Sequence, residues 1–273
     1  MLRDNNYMTL LLSNLFFCDS GVFKQLCEAC RTGNLNTLFQ AIYHNQDIAH
    51  ELICGEESGT NDSTTRNFLY LACENGHLDV VRQLVDFGAD VNLASYDDLT
   101  PLCAACMNGH AAVARFLISR GALVHDPALG RFSPILLACR SGKHDVVELL
   151  LSEQPLLLRT HGQLLLHEAC RLGHVQVVRL LIKKGIDINP LPYRVTTTDA
   201  EAQVPGSPLE GACVGLQTSV INYLIENGAE VTDDIVENHW EIIGEALMRY
   251  GNNKQLLDWS FVISCSLALT DNL

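Results

Sequence analysis

Apolar residues recur along this chain with the period of a helix. In HLDVVRQLV (77–85), Val80, Val81, Leu84 and Val85 fall on one face at 3.6 residues per turn. The stretch belongs to a longer phrase, LACENGHLDVVRQLV (71–85), which returns as EACRLGHVQVVRLLI (168–182). Each phrase predicts two short helices broken at a glycine. Internal repetition therefore organises the chain, and its period has to be found before any local motif is interpreted.

The dipeptide Ala-Cys serves as a ruler. It stands at 29–30, 72–73, 105–106, 138–139, 169–170 and 212–213, so the middle of the chain runs at about 33 residues, with two insertions of roughly ten. Three copies carry Thr-Pro or Ser-Pro ahead of it: TPLCAAC (100–106), SPILLAC (133–139) and SPLEGAC (207–213). Thr100 or Ser133 can cap a helix whose first turn accepts the proline, since that N–H has no partner anyway. A glycine follows the dipeptide at Gly33, Gly76, Gly109, Gly142 and Gly173, where a left-handed residue would end the first helix. A second helix and a small turn close the unit, as in GADVN (88–92), GALVH (121–125), GIDIN (185–189) and GAEVT (228–232). One such unit cannot bury its apolar face; stacked units can.

These motifs resemble the ankyrin repeat, a unit of about 33 residues with T-P-L-H-x-A, Gly-His and a closing Gly-Ala-Asp-Val-Asn. The resemblance implies an all-α solenoid with a helix-turn-helix and a β-turn per unit. It would hold about six repeats: a degenerate first repeat with an insertion at 21–66, four repeats at 67–189 and a last one at 207–232. Segment 190–206 is expected to be a loop. The stretch 233–251 is expected to be one capping helix, with Ile235, Trp240, Ile243 and Leu247 on or near one face. Departures are visible: of the T-P-L-H histidines only His167 remains, RTHGQLLLHEA lacks the Thr-Pro start, and Leu216 occupies the usual glycine position with Gly215 one place early.

The ends are less regular. YMTLLLSNLFFC (7–18) is apolar, and either a first helix packing on the domain or a leader accounts for it; Asp4, Ser13 and Asn14 count against the leader. The tail, 252–273, is apolar. Its Leu267-x-Leu269-x-x-Asn272, preceded by DWSFVISC, is similar to the start of a leucine-rich repeat. That order of elements resembles the N-terminal region of animal leucine-rich-repeat Roco-type kinases. The resemblance would make this chain the recognition arm of a larger signalling kinase. No P-loop or kinase motif stands in 1–273, so no catalytic residue carries over.

Composition narrows the function. The net charge of −14, from 32 acidic and 18 basic residues, argues against binding a phosphate backbone. No apolar run is long enough for a membrane span. Eleven cysteines, an odd number set inside apolar helical patterns, read as free buried thiols in an intracellular, cytoplasmic protein. Two CxxC pairs, Cys27/Cys30 and Cys103/Cys106, have the spacing of a metal or redox motif. However, the second Cys of each pair is the small packing residue of its repeat, which favours core packing. Cys73 and His77 straddle the glycine that ends a helix, so they do not share a face. No nucleophile–base–orienter signature is present, and no cofactor, metal or catalytic residue is expected.

What remains is recognition of protein partners. In the ankyrin family the concave side, built from turn tips and the two positions after the Cys, meets the partner. By register the resemblance implies Tyr96, Asp97, Leu99, Met107, Asn108, Arg131, Phe132, Arg140 and Arg171. Glu74, Asn75, Ser141, Leu172, Leu129, His161 and Gln163 belong to the same set. Arg140 and Arg171 are expected one repeat apart, as a row suited to an acidic segment of a protein partner. LVDFGADVN (84–92) resembles ankyrin sites at which the asparagine is hydroxylated, making Asn92 a candidate.

Overall fold

The computed structural model of the chain describes residues 21–54, 67–95, 98–124, 133–190 and 206–250. Among them are fourteen helices and no strand. The chain forms two compact units, Met1–Gln154 and Pro155–Leu273. The division falls inside the stretch expected to hold four consecutive repeats, 67–189.

The first unit contains nine described helices: α1 (Gly21–Thr32), α2 (Leu35–His44), α3 (Gln46–Cys54), α4 (Phe68–Glu74), α5 (Leu78–Asp86), α6 (Pro101–Asn108), α7 (Ala111–Ser119), α8 (Pro134–Arg140) and α9 (His144–Glu153). The first helices of the pairs, α1, α4, α6 and α8, pack on one another in sequence, and the second helices α2, α5, α7 and α9 do the same. Every residue of Phe68–Cys73 and Pro101–Cys106 is buried, so α4 and α6 are wrapped all round. Ala72, Cys73, Ala105 and Cys106 have no exposed surface, which explains the small side chains at the ruler positions. On α5 the apolar stripe is buried at Val80, Val81 and Leu84, while Val85 is half-buried. Each fully buried Leu or Val contributes about 2 kcal/mol, and these stripes can be buried only by stacking.

The second unit contains five: α10 (Leu156–Arg171), α11 (Val175–Lys183), α12 (Pro208–Val214), α13 (Thr218–Glu226) and α14 (Asp233–Tyr250). Here α10 packs on α11 and α12, α12 on α13, and α14 covers both α12 and α13.

The glycine turns are as expected: Gly33, Gly76, Gly109, Gly142 and Gly173 all have left-handed φ, between 70° and 85°. The caps are only partly so. Thr100 Oγ1 accepts from the Cys103 amide at 3.3 Å and Ser207 Oγ from the Glu210 amide at 3.1 Å. Ser133 is buried and makes no side-chain cap bond. Where Thr-Pro is absent before α4, Asn67 takes over: its Oδ1 accepts from the Tyr70 amide at 2.6 Å and its Nδ2 donates to the Leu93 carbonyl at 2.9 Å.

The helices refine two expectations and correct one. The insertion after the first repeat begins as a helix, α3, with Ala49, Leu52 and Ile53 buried against α1 and α2. The stretch before the fifth Ala-Cys holds no turn, since α10 runs through it for 16 residues. No proline or Gly-Ala pair interrupts that run, so its leucines continue the helix. The capping element is a helix, α14, kinked at His239 (φ −135°, ψ 20°), and Trp240, next to the kink, is only half-buried. Ile235, Ile243 and Leu247 are buried as the pattern required. The segments 1–20, 55–66, 191–205 and 252–273, with their leader, loop and leucine-rich readings, lie outside the described residues.

Candidate recognition surface

The turns that end the first helices are fixed by the following repeat. His77 Nε2 lies 2.9 Å from the Arg31 carbonyl oxygen, and His110 Nε2 lies 3.0 Å from that of Glu74. A carbonyl can only accept, so in both histidines Nε2 carries the proton and donates. Each imidazole also covers the turn glycine of the preceding repeat, His77 over Gly33 and His110 over Gly76. The Cys-His phrase is thus a joint between repeats, with the Cys in the core and the His at the turn.

The closing turns are stapled in the same manner. Asn92 donates from Nδ2 to the Gly121 carbonyl at 3.2 Å and accepts at Oδ1 from the Leu123 amide at 2.9 Å. Asn189 does the same in the second unit, donating to the Gly228 carbonyl at 2.9 Å and accepting from the Glu230 amide at 2.7 Å. Asp90 and Asp187 each hold the backbone N–H of their asparagine at 2.9 Å. The motif GADVN thus specifies the height of the next turn.

With the joints fixed, the last residues of the first helices come to one face of the first unit. Glu74 and Met107 are half-buried, and Asn75, Asn108 and Arg140 are exposed. Asn75 and Asn108 direct Nδ2 back to their own helices, to the Leu71 carbonyl at 2.8 Å and the Ala104 carbonyl at 2.9 Å. Arg31, the register equivalent in the degenerate first repeat, is exposed on the same row and was missed in the sequence. The signal was available, since Arg31 follows Cys30 as Glu74 follows Cys73.

Other predicted residues are placed differently. Leu99 is only 9% exposed and belongs to the core, and the Ser95 amide donates to its carbonyl at 2.8 Å. His161 and Gln163 lie within α10 rather than on a turn tip, with Gln163 Nε2 donating to the Asp187 carbonyl at 3.1 Å. Arg140 lies in the first unit and Arg171 in the second. Arg171 is engaged by a bidentate pair, Nε to Glu168 Oε1 at 3.2 Å and the guanidinium to Oε2 at 3.0 Å. That bond raises its pKa further above the ordinary arginine value. Glu168 is buried, so Arg171 neutralises a carboxylate of its own repeat. Tyr96, Asp97, Leu129, Arg131 and Phe132 lie outside the described residues. In the second unit the corresponding helix end offers Val214 and Leu216, exposed by 60% and 68%.

The thiols have the chemistry of core residues. Burial pushes Cys30, Cys73, Cys103 and Cys106 upward, and Cys213 to about 12. Such thiols stay protonated at physiological pH and are poor nucleophiles and ligands. Among the described residues no group of three His, Cys, Asp or Glu side chains is placed to hold a metal. No helix among them is long and apolar enough to cross a membrane.

Helix pairs closed by left-handed glycines, tied by histidine to the preceding turn and stapled by asparagine to the following one, define a helical repeat protein. The chain belongs to the ankyrin-repeat family: the family model described as Ankyrin repeats (3 copies) matches residues 38–128 and 124–191, more than half of its length. Among solved structures it is similar to the human ASB11 ankyrin repeat domain, at 27% identity and a TM-score of 0.58, over 76% of this chain and 85% of that one. No curated protein sequence matches it. Ankyrin repeat domains generally mediate protein–protein interaction and are typically non-catalytic.

Proposed function

We propose that the protein is a non-catalytic scaffold or adaptor that holds a protein partner on the first-helix ends of its first unit. The observation that carries this reading is the contrast within α4 and α6: Phe68–Cys73 and Pro101–Cys106 are entirely buried, and only the residues after the cysteines reach solvent. Glu74, Met107 and Arg140 present a negative, an apolar and a positive group, spaced by the repeat, beside the short polar Asn75 and Asn108. A row of mixed character suits a folded or extended protein segment. Tyr96, Asp97, Arg131 and Phe132 follow from the register of the same face.

An acidic partner segment would use Arg31 and Arg140, both exposed at first-helix ends. The test is affinity purification with mass spectrometry, comparing the wild-type chain with Glu74→Arg/Met107→Arg/Arg140→Glu. The triple variant should lose the partners that the wild type captures while its thermal melt stays unchanged. The same partners in both samples would overturn the reading. Asn92 remains the proposed hydroxylation site; intact-peptide mass showing only unmodified asparagine, in cells with active hydroxylase, would remove it. The tail motif supports the further reading of a recognition arm of a larger kinase. A transcript that does not continue in frame past Leu273 into leucine-rich repeats would exclude that.

A further inference from the structure

Three arginines gather on the second-helix row of the first unit, away from the first-helix ends. The helices α5 and α7 pack side by side. The Arg82 guanidinium stands 5.2 Å from the centroid of the Phe116 ring, and that of Arg120 stands 4.9 Å from the same centroid. Arg120 also pairs with Asp86 at 2.7 Å. Arg115, adjacent to Phe116, is exposed, as are Arg82 and Arg120, and the ring itself is half-buried. Asp86 is already engaged, Asp79 stands at the start of α5, and the neighbouring α9 carries Asp145, Glu148 and Glu153. Two cations therefore sit on one ring, with a third on the adjacent residue of the same helix, on a chain whose net charge is −14.

The ring contacts and the Asp86 pair hold the guanidiniums in place. Two guanidiniums on one ring repel each other, and a carboxylate entering beside them relieves that repulsion. The ring and Asp86 also restrict the arginine rotamers in advance, so less entropy is lost when a carboxylate takes their forked donors. A short acidic segment needs only two or three carboxylates at this spot. A nucleic acid would carry one charge per about 1.7 Å along the rest of an acidic surface.

We propose that Arg82, Arg115, Arg120 and Phe116 form a second docking surface, on the faces of α5 and α7, for an acidic segment of a protein partner. The surface is separate from the first-helix face and stands or falls independently of it. The test is fluorescence anisotropy with a short fluorescein-labelled peptide of alternating glutamate and alanine, using the full chain. The wild type should bind, more weakly as salt rises. Arg82→Gln/Arg115→Gln should weaken binding at least tenfold. Arg82→Lys/Arg115→Lys, which keeps the charge but loses the planar fork, and Phe116→Leu should each weaken it several-fold. Lys183→Gln, which removes an exposed positive charge at the end of α11 in the second unit, should bind as the wild type does. The proposal is overturned if the wild type does not bind, if the double Gln variant binds equally well, or if a single-stranded oligonucleotide of equal charge competes as effectively as the unlabelled peptide.

Discussion

The joint at Gly76 in the first unit and the joint at Leu216 in the second have the same backbone turn and different residues. At Gly76 (φ 77°) the left-handed position is a glycine, and His110 of the next repeat lies on it and donates to the Glu74 carbonyl. In the last repeat the left-handed residue is Leu216 (φ 57°), while Gly215, one place earlier, has φ −79°. No further Gly-His repeat follows, and α14 packs there instead. Gly215 is needed for another reason: a Cβ on it would meet the Arg171 carbonyl, where the end of α12 approaches α10. Glycine at one joint supplies a dihedral angle and at the other supplies room. Backbone geometry is the property the repeat maintains, and the residue that maintains it differs with what stacks above.

The comparison is broken most severely at Gly76. Alanine there faces a left-handed φ and places its Cβ against the His110 ring. Conformational strain of about 1–2 kcal/mol and loss of a hydrogen bond worth about 1 kcal/mol predict a total near 3 kcal/mol. Gly121 has a similar φ, 91°, with nothing within 4 Å of its would-be Cβ. Gly121→Ala should therefore cost only about 1 kcal/mol. Thermal melts of the two variants decide the matter. Equal losses would mean that the histidine contributes nothing to the joint.

The next effect is at the staples. Asn92→Ala and Asn189→Ala each remove a donor and an acceptor that bridge to the following turn, which predicts about 2 kcal/mol apiece. The bond pattern is the same in both units, so the two losses should agree within error in urea titrations. A loss at one site only would show that the motif is structural in one unit and incidental in the other.

Much of this was legible from residues alone, for identifiable physical reasons. Ala-Cys marks a contact too close for larger side chains, so it recurs wherever helices stack. The turn glycines obey a local dihedral requirement, and the oddity at Leu216 was visible as a shifted glycine. Less legible was anything set by partners distant in sequence. Arg171 reads as a surface cation until Glu168 is seen to be buried beside it. Leu99 reads as a turn tip until its side chain is seen to be buried. His161 and Gln163 were given loop positions by counting repeats, although no proline or Gly-Ala pair breaks 156–166. The Arg82–Phe116–Arg120 cluster was missed because its members belong to two repeats and are contiguous only after stacking.

A smaller effect separates two arginines that looked alike in sequence. Arg171→Glu removes the partner of a buried carboxylate and sets a like charge beside it. Because Arg171 is 38% exposed, solvent moderates the loss to about 1.5 kcal/mol. Arg31→Glu, at the exposed end of α1, should stay within about 0.5 kcal/mol. Urea midpoints of the two variants test this. Comparable midpoints would mean that the Glu168 pair contributes nothing to stability.

The smallest effect has the opposite sign. Leu216 occupies a left-handed conformation that costs a side-chain-bearing residue about 1–2 kcal/mol, and its side chain lies mostly in solvent. Leu216→Gly relieves that strain but gives the unfolded chain more freedom, which returns about 0.5–1 kcal/mol. The difference predicts a net gain near 0.5 kcal/mol, read as a melting temperature slightly above the wild type. A lower melting temperature would show that the leucine side chain makes an apolar contact outweighing its backbone strain. The last joint would then be held by packing, in contrast to the glycine-and-histidine joints of the first unit.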